Sequence, residues 1–542
     1  MITGFDPLAQ RYPSQRFPIY ARGGMVNCSC PQAAAAGLEI LRSGGNAMDA
    51  AVAAAAVLTV AEPTANGIGG DAFALIWSGR DHRLYGLNAS GPAPRAISIR
   101  DVLDNGRDDH GRMPAWGWVP VMVPGIPKAW AAISGRFGKL PLPKSLEPAV
   151  RYARDGYPCA PNIAFAWRQA FARYKKELSG PCFDAWFDTF APHGRAPEAG
   201  ETVTLPDHAD TLEAIGETRA EAFYTGDLAR RIDACSRKYG GYLRYEDLAA
   251  FEAQWVEPVS VDYRGFTVCE IPPNGQGVAA LAALNILKEF SFTVRDCPET
   301  MHRQIEAMKM AFADVLDTVT DPEHMKIDPM ALLDPAYGAR RAREMGDTAG
   351  KWTLSLPPRG GTVYLCCADG EGNMVSYIQS NYRGFGSGIV VEGTGIALQD
   401  RGAFFSLDPE AANCLAPGKR TYHTIMPGFL MKDGGPVGPF GVMGGTMQPQ
   451  GHVQVVTNLI DFSMDPQQAL DAPRWQWMRD GTVTVESRFD PDLARALRRM
   501  GHDVRVDLNT PAFGRGQVIL RLDGGVLAGG TESRADSNIA CW

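Results

Sequence analysis

Residues 355–386 read SLPPRGGTVYLCCADGEGNMVSYIQSNYRGFG, and the pattern of the chain changes inside them. Ser355–Gly361 is rich in proline and glycine, which ends the helical periodicity before it. From Thr362 onward the residues read as strands, Thr362–Ala368 and Met374–Ser380. At the junction stands Gly360-Gly361-Thr362. A hydroxyl is a weak nucleophile at neutral pH and needs a base beside it. A threonine at a chain start supplies its own, because an α-amine with an ordinary pKa of about 7.7–8.0 accepts a proton near neutrality. Cleavage between Gly361 and Thr362 would therefore create nucleophile and base in one residue. Glycine before that bond tolerates the backbone strain of an attack on the Gly361 carbonyl. Taken alone, a Gly-Gly-Thr that opens a strand is more often purely structural.

Upstream of the junction, Leu140–Met345 is mostly helical by its 3.6-residue periodicity, with Val259–Glu270 strand-like between helices. An alanine-rich pair, Pro31–Ser43 and Asn46–Ala61, precedes a Thr64–Gly70 loop and two strands, DAFALIW and HRLYGLNA. Downstream, Gly388–Val391, Thr424–Met431 and Val437–Met443 read as strands, and Asp433-Gly434-Gly435 makes a hairpin of the last two. Helices Val453–Phe462, Pro466–Ala472 and Pro491–Met500 follow, then strands Val504–Leu508 and Val518–Leu522. This order fits sheets held between helix layers, an α+β fold.

The 542 residues, 45% hydrophobic and 21% charged, suffice for a large core. A formal charge of −8 gives no footprint for nucleic acid. Met1–Arg22 has no apolar run of the export type, and the apolar Ala50–Ala61 is too short to span a bilayer, so a cytoplasmic, membrane-free protein is expected. The 11 cysteines are odd in number and scattered, which favours reduced thiols. With no histidine read at helical i, i+4 spacing from an acidic partner and no CxxC, no metal is expected.

The segments GLEILRSGGNAMDAAVAAAAVLTVAEPTANGIGGDAFAL, DLAAFEAQWVEPVSVDYRGFTVCEIPPNGQG, HRQIEAMKMAFAD, GSGIVVEGTGIAL, PGKRTYHTIMP and MGGTMQPQG closely resemble the γ-glutamyltransferase family, in family order from Gly24 to about Ala540. The resemblance implies a four-layer αββα sandwich of the N-terminal-nucleophile hydrolase type, which needs no cofactor. It implies self-cleavage into a large segment, 1–361, and a small one, 362–542, intertwined as a heterodimer that could itself pair. Thr362 falls on the family's nucleophile, Ser380 on the hydroxyl residue that bonds it, and Gly444-Gly445 on the pair whose amides form the oxyanion hole.

The departures from the family bear on the substrate. A γ-glutamyl group carries a carboxylate and an ammonium, so its site needs a fixed cation and a fixed anion. The family's carboxylate-binding arginine falls on Ser90 and its ammonium-binding aspartate on Phe404. The neighbouring amide falls on Arg401, the asparagine of the nucleophile's strand on Tyr382, and a serine pair on His423-Thr424. An unpaired buried charge costs several kcal/mol, about 3–5, so a γ-glutamyl substrate fits poorly. IQSNYRGFGSG with RGAFFSLDP is nearer the branch that resembles oxamate amidohydrolase. There Arg401, Arg383 or His423 could bind a small carboxylate; the alternatives are a surface ion pair for Arg401 and a satisfied core histidine for His423. The short Ser406–Lys419 connection leaves little material for a lid. The expected activity is hydrolysis or acyl transfer on a small amide bearing a carboxylate; the competing readings are true γ-glutamyl transfer or glutathione hydrolysis, and an uncleaved binding protein.

Overall fold

Asn46 opens the alanine-rich helix Ala47–Ala61 with a reciprocal cap: its side chain accepts from the amides of Met48 and Asp49, and the Asp49 carboxylate accepts from the Asn46 amide. Every residue of that helix is buried, and its small side chains let it lie close against the strand that Thr362 begins. The computed structural model that shows this describes residues 16–108, 110–352 and 360–542. Most of the Ser355–Gly361 linker and residues 1–15 lie outside them.

The chain mixes helices with two seven-stranded sheets. The first sheet runs, edge to edge, Asn538–Cys541, Gly24–Cys28, Gly361–Asp369, Met374–Tyr382, Asp71–Ser78, Arg83–Ala89 and Gln254–Val256. The second runs Ile19–Ala21, Leu527–Thr531, Arg515–Arg521, Gly435–Met443, Gly428–Lys432, Phe266–Glu270 and Val259–Tyr263. All pairings within both sheets are antiparallel. Both sheets contain strands from before and after Gly361, paired side by side, so the two parts of the chain share each sheet.

Successive strand side chains point to opposite faces, and here both faces are buried. Val363, Leu365 and Cys367 pack with the Ala47–Ala61 helix and its neighbours. Tyr364, Cys366 and Ala368 join Phe429, Met443 and Ile519 of the second sheet in one apolar cluster. On the second sheet's other side, Val268, Leu430, Val518 and Leu520 pack with helices Gly277–Leu287, Pro298–Leu316 and Met447–Ile460.

Three expectations shift. Val259–Glu270 is a hairpin, because Arg264 and Gly265 take φ of +57° and +77° and turn the chain. The Thr424–Met431 strand starts at Gly428, since His423 pairs with Gly275 in an isolated bridge instead. Gly388–Val391 shortens to Val390–Val391, paired with Ile396–Ala397. The Asp433-Gly434 hairpin turn is as expected, with both φ positive. No helix among the described residues is long and apolar enough to cross a membrane.

A buried ion network anchors the late strands. Arg534 donates to Glu486 at 2.7 and 2.6 Å and to Glu532 at 2.7 Å, while Arg474 donates to Glu532 at 2.9 Å and to the carbonyls of Phe513 and Gly514. Burial alone would raise the Glu532 carboxyl, but Arg474 and Arg534 pull it down to about 2. Replacing Arg534 by methionine takes from Glu486 its close cation and leaves Glu532 with Arg474 alone, and is expected to cost about 3–5 kcal/mol, read as a lower thermal midpoint at pH 7. Because the folded pKa of Glu532 is depressed, its contribution is complete above the unfolded value of about 4.3 and is lost as pH falls towards about 2. The gap between wild type and variant should therefore narrow over that acid window.

Candidate active site

The Gly361–Asp369 strand starts opposite a bulge. Gly361 pairs with Tyr382 and Val363 with Gln379, so Ser380 and Asn381 together oppose Thr362. By the alternation of the strand, Thr362 faces the same way as Tyr364, towards the second sheet. Both Thr362 and Ser380 are buried. The Gly361 carbonyl accepts from Thr362 Oγ1 at 2.7 Å and from Ser380 Oγ at 2.6 Å, and the two hydroxyl oxygens lie 3.4 Å apart. Ser380 Oγ in turn accepts from the Tyr382 amide at 2.7 Å.

Close approach, rather than left-handed backbone, demands the two glycines before the bond. A Cβ on Gly360 would lie 2.6 Å from the Tyr382 carbonyl oxygen, and one on Gly361 would lie 3.0 Å from the Gly384 amide. Gly444 and Gly445 form the turn from the Gly435–Met443 strand into the Met447–Ile460 helix, with φ of +136° and +62°. Gly441 of that strand rests on the Tyr364 ring, which sets this turn beside the start of the Gly361–Asp369 strand. Gln276 Nε2 donates to the carbonyls of Gly445, at 3.0 Å, and Thr424, so one side chain joins the turn to the Thr424 segment.

Arg401 is buried beside the pair of hydroxyls. Its guanidinium donates to Thr424 Oγ1 at 2.8 Å and to Ser380 Oγ at 3.4 Å, and it lies 4.7 Å over the Tyr382 ring. Phe404 packs on the same ring at 4.8 Å and on Tyr422 at 5.7 Å, making an aromatic wall. Burial pushes the Arg401 pKa down, against the pull of Asp71.

His423 is not a free cation. Its Nδ1 accepts from the Ile425 amide at 3.3 Å and its Nε2 meets Asp71 Oδ2 at 3.1 Å, and burial next to Arg401 holds its pKa well below the ordinary value. Asp71 itself is pushed up to about 7 by burial, with Arg401 opposing. Ser90 stands one step away, its hydroxyl bonded to Asn88 and Asn274. Arg383 bonds Asp400 through its amide at 3.1 Å, with its guanidinium 3.7 Å from that carboxylate.

The sequence reading assigned no role to Asp71, Gln276 or Gln399, although Asp71 is an acid opening the otherwise apolar DAFALIW strand. It also passed over His302 and Glu306, an i, i+4 pair that the fold joins to His502 with ligand atoms within 4.8 Å. Those atoms are already taken: His302 Nδ1 meets His502 Nε2 at 2.8 Å, and the Lys309 ammonium bonds Glu306 at 2.8 Å and meets His502 at 3.2 Å. The ammonium supplies there the positive charge a metal would bring.

Residues 33–542 match the family model described as Gamma-glutamyltranspeptidase. The chain belongs to the gamma-glutamyltranspeptidase family. As a member it is an enzyme of the N-terminal-nucleophile hydrolase kind, which sets aside the non-catalytic reading. Among the family's members it is 38% identical to the glutathione hydrolase-like YwrD proenzyme of Bacillus subtilis, over 93% of this chain and 95% of that one. It is 33% identical to the oxamate amidohydrolase proenzyme of Klebsiella pneumoniae, over 95% and 98%. The crystal structure of cephalosporin acylase from Bacillus halodurans superposes with a TM-score of 0.94 at 54% identity, covering 100% of this chain and 99% of that one.

Proposed function

We propose that this family member cuts itself between Gly361 and Thr362 and then hydrolyses, or transfers the acyl group of, small amides whose acyl part carries a carboxylate. The observation that carries the reading is the Gly361 carbonyl held between the hydroxyls of Thr362 and Ser380. Thr362 Oγ1 attacks that carbonyl carbon while Ser380 polarises its oxygen; the peptide nitrogen leaves as the Thr362 amine, and water hydrolyses the resulting ester. In turnover the freed amine takes the hydroxyl proton, Oγ1 attacks the substrate carbonyl, and the proton passes to the leaving amine. The Gly444 and Gly445 amides stabilise the oxyanion, each contributing about 2.7–4 kcal/mol if they act as such donors usually do. No cofactor enters these steps.

Two sheets with an apolar layer between them and helices outside support the αββα sandwich. Strands shared by residues before and after Gly361 support a heterodimer of the two fragments. Arg401 supports a carboxylate ligand. The carboxylates nearest it, Asp71 and Asp400, are held by His423, Gln399 and the Gly91 amide, and by Arg383. An α-ammonium thus finds Phe404 where it needs an anion. Beside the glutathione hydrolase-like relative, proteins similar to this chain include one named for oxamate and one for a cephalosporin acylase, in keeping with an acyl group that is not γ-glutamyl.

Intact-mass measurement should find two pieces, ending at Gly361 and beginning at Thr362. Oxamate should then be turned over faster than a γ-glutamyl anilide. Uncut protein, or brisk release of p-nitroaniline from the γ-glutamyl anilide, would refute the respective half of the reading.

A further inference from the structure

We propose that Asp71 is the positioning residue that keeps the Arg401 guanidinium free to receive a substrate carboxylate, and so sets the specificity of the site. The inference rests on the function proposed above and adds the residue on which its selectivity depends.

An arginine and an aspartate buried together ordinarily close into a two-pronged bond, which would use up the guanidinium fork. Here they do not. Arg401 Nε stays 3.9 Å from Asp71 Oδ2 and has no hydrogen-bond partner. Asp71 is instead held by three neutral donors: the Gly91 amide on Oδ1 at 3.2 Å, and His423 Nε2 and Gln399 Nε2 on Oδ2 at 3.1 and 3.3 Å. Each side-chain donor is itself locked. His423 Nδ1 accepts from the Ile425 amide, and Gln399 Oε1 accepts from the Arg401 amide at 2.5 Å.

Gln399 therefore links Asp71 to the main chain of Arg401. Asp71 balances the buried positive charge from a distance while the Nε–H of Arg401 remains uncommitted. The remaining bonds of the guanidinium, to Thr424 Oγ1 and Ser380 Oγ, aim it at the hydroxyl pair of Thr362 and Ser380. A carboxylate bound there would stand next to the scissile carbonyl of a short acyl group. An oxalyl amide, whose carboxylate is bonded directly to the amide carbonyl carbon, is the shortest such group.

Both oxygens of Asp71 are acceptors, so the isosteric Asp71→Asn must turn an NH2 towards a donor on one side or the other. The brace fails whichever way the amide points. The probes are oxamate and oxamide, which differ only in a carboxylate against an amide, with ammonia release as the readout. In Asp71→Asn the oxamate-to-oxamide ratio of kcat/KM should fall by about 10- to 100-fold, with KM for oxamate carrying more of the change than kcat, as expected when a binding group is misplaced by about an ångström. Loss of fold alone would lower both substrates together and leave the ratio where it was. His423→Asn withdraws one donor and leaves the carboxylate in place; it should move the ratio the same way by a smaller factor, and it provides the measurement if Asp71→Asn does not fold. A wild-type ratio near one would remove Arg401 as an anchor, and this inference with it. A selective wild type whose ratio is unchanged in the variants would overturn the role of Asp71 alone.

Discussion

Thr362→Ala should leave a single uncut chain and reduce turnover to background, a loss of at least about 10⁴-fold in kcat, because the nucleophile and the base that activates it vanish together. The uncut chain lacks a free amine at residue 362, so even a substrate that enters finds neither group. The substitution removes one buried hydroxyl and one methyl, which costs at most about 2 kcal/mol of packing in a core of this size. The loss is therefore one of chemistry, and unchanged circular dichroism with a nearly unchanged thermal midpoint should accompany it. Thr362→Ser, which keeps the hydroxyl 3.4 Å from Ser380, should still be cut. Cleavage of Thr362→Ala at the same bond would mean that another group attacks the Gly361 carbonyl, and the reading of the bulge would fall.

The sequence legibly marks the hairpin that starts at Gly361. Two apolar runs after a Pro/Gly segment predict strands at 362–368 and 374–380, and the fold has them at Gly361–Asp369 and Met374–Tyr382. The hairpin at Asp433-Gly434 is equally visible, because its residue types advertise positive φ. The strands Gly24–Cys28, Leu527–Thr531 and Asn538–Cys541 are not. Asn27 shows why: a polar residue in the middle of GMVNC argues locally against a buried strand, yet its amide donates to the carbonyls of Val518 and Gly530, some 500 positions away. Long-range partners satisfy such groups, and a local window contains none of them. Arg264 conceals its turn in the same way, since arginine gives no hint of a left-handed backbone.

In the site, the family resemblance located Thr362, Ser380, the Gly444 turn and Arg401, all of which the fold brings to one place. The partners of Arg401 were hidden. Asp71, Gln399 and His423 lie in three separate segments and act on one another only through bonds of about 3 Å that folding creates. His423 could be weighed as a carboxylate ligand from its position, but only the placement of both ring nitrogens shows that neither is free to donate to one.

Arg401→Met should lower kcat/KM for a carboxylate-bearing amide by about 30- to 5,000-fold, the 2–5 kcal/mol typical of deleting one member of a buried, hydrogen-bonded charge pair, while the neutral analogue loses far less. Methionine fills similar apolar volume against the Tyr382 ring, so the aromatic wall persists. The Asp71 carboxylate left behind does not unfold the protein. It is already pushed up to about 7 by burial, and Arg401 is the main influence holding it down. Without that guanidinium its pKa climbs further, and the group stays protonated at neutral pH, a neutral partner for its existing donors. Lysine should not rescue the variant, since a point charge on a flexible stem cannot donate at once to Thr424, Ser380 and a carboxylate as the planar fork does. The comparison is made by ammonia release from oxamate and oxamide. A variant that still prefers oxamate would show that the carboxylate is bound elsewhere, with Arg383, the other guanidinium over the Tyr382 ring, as the next position to replace.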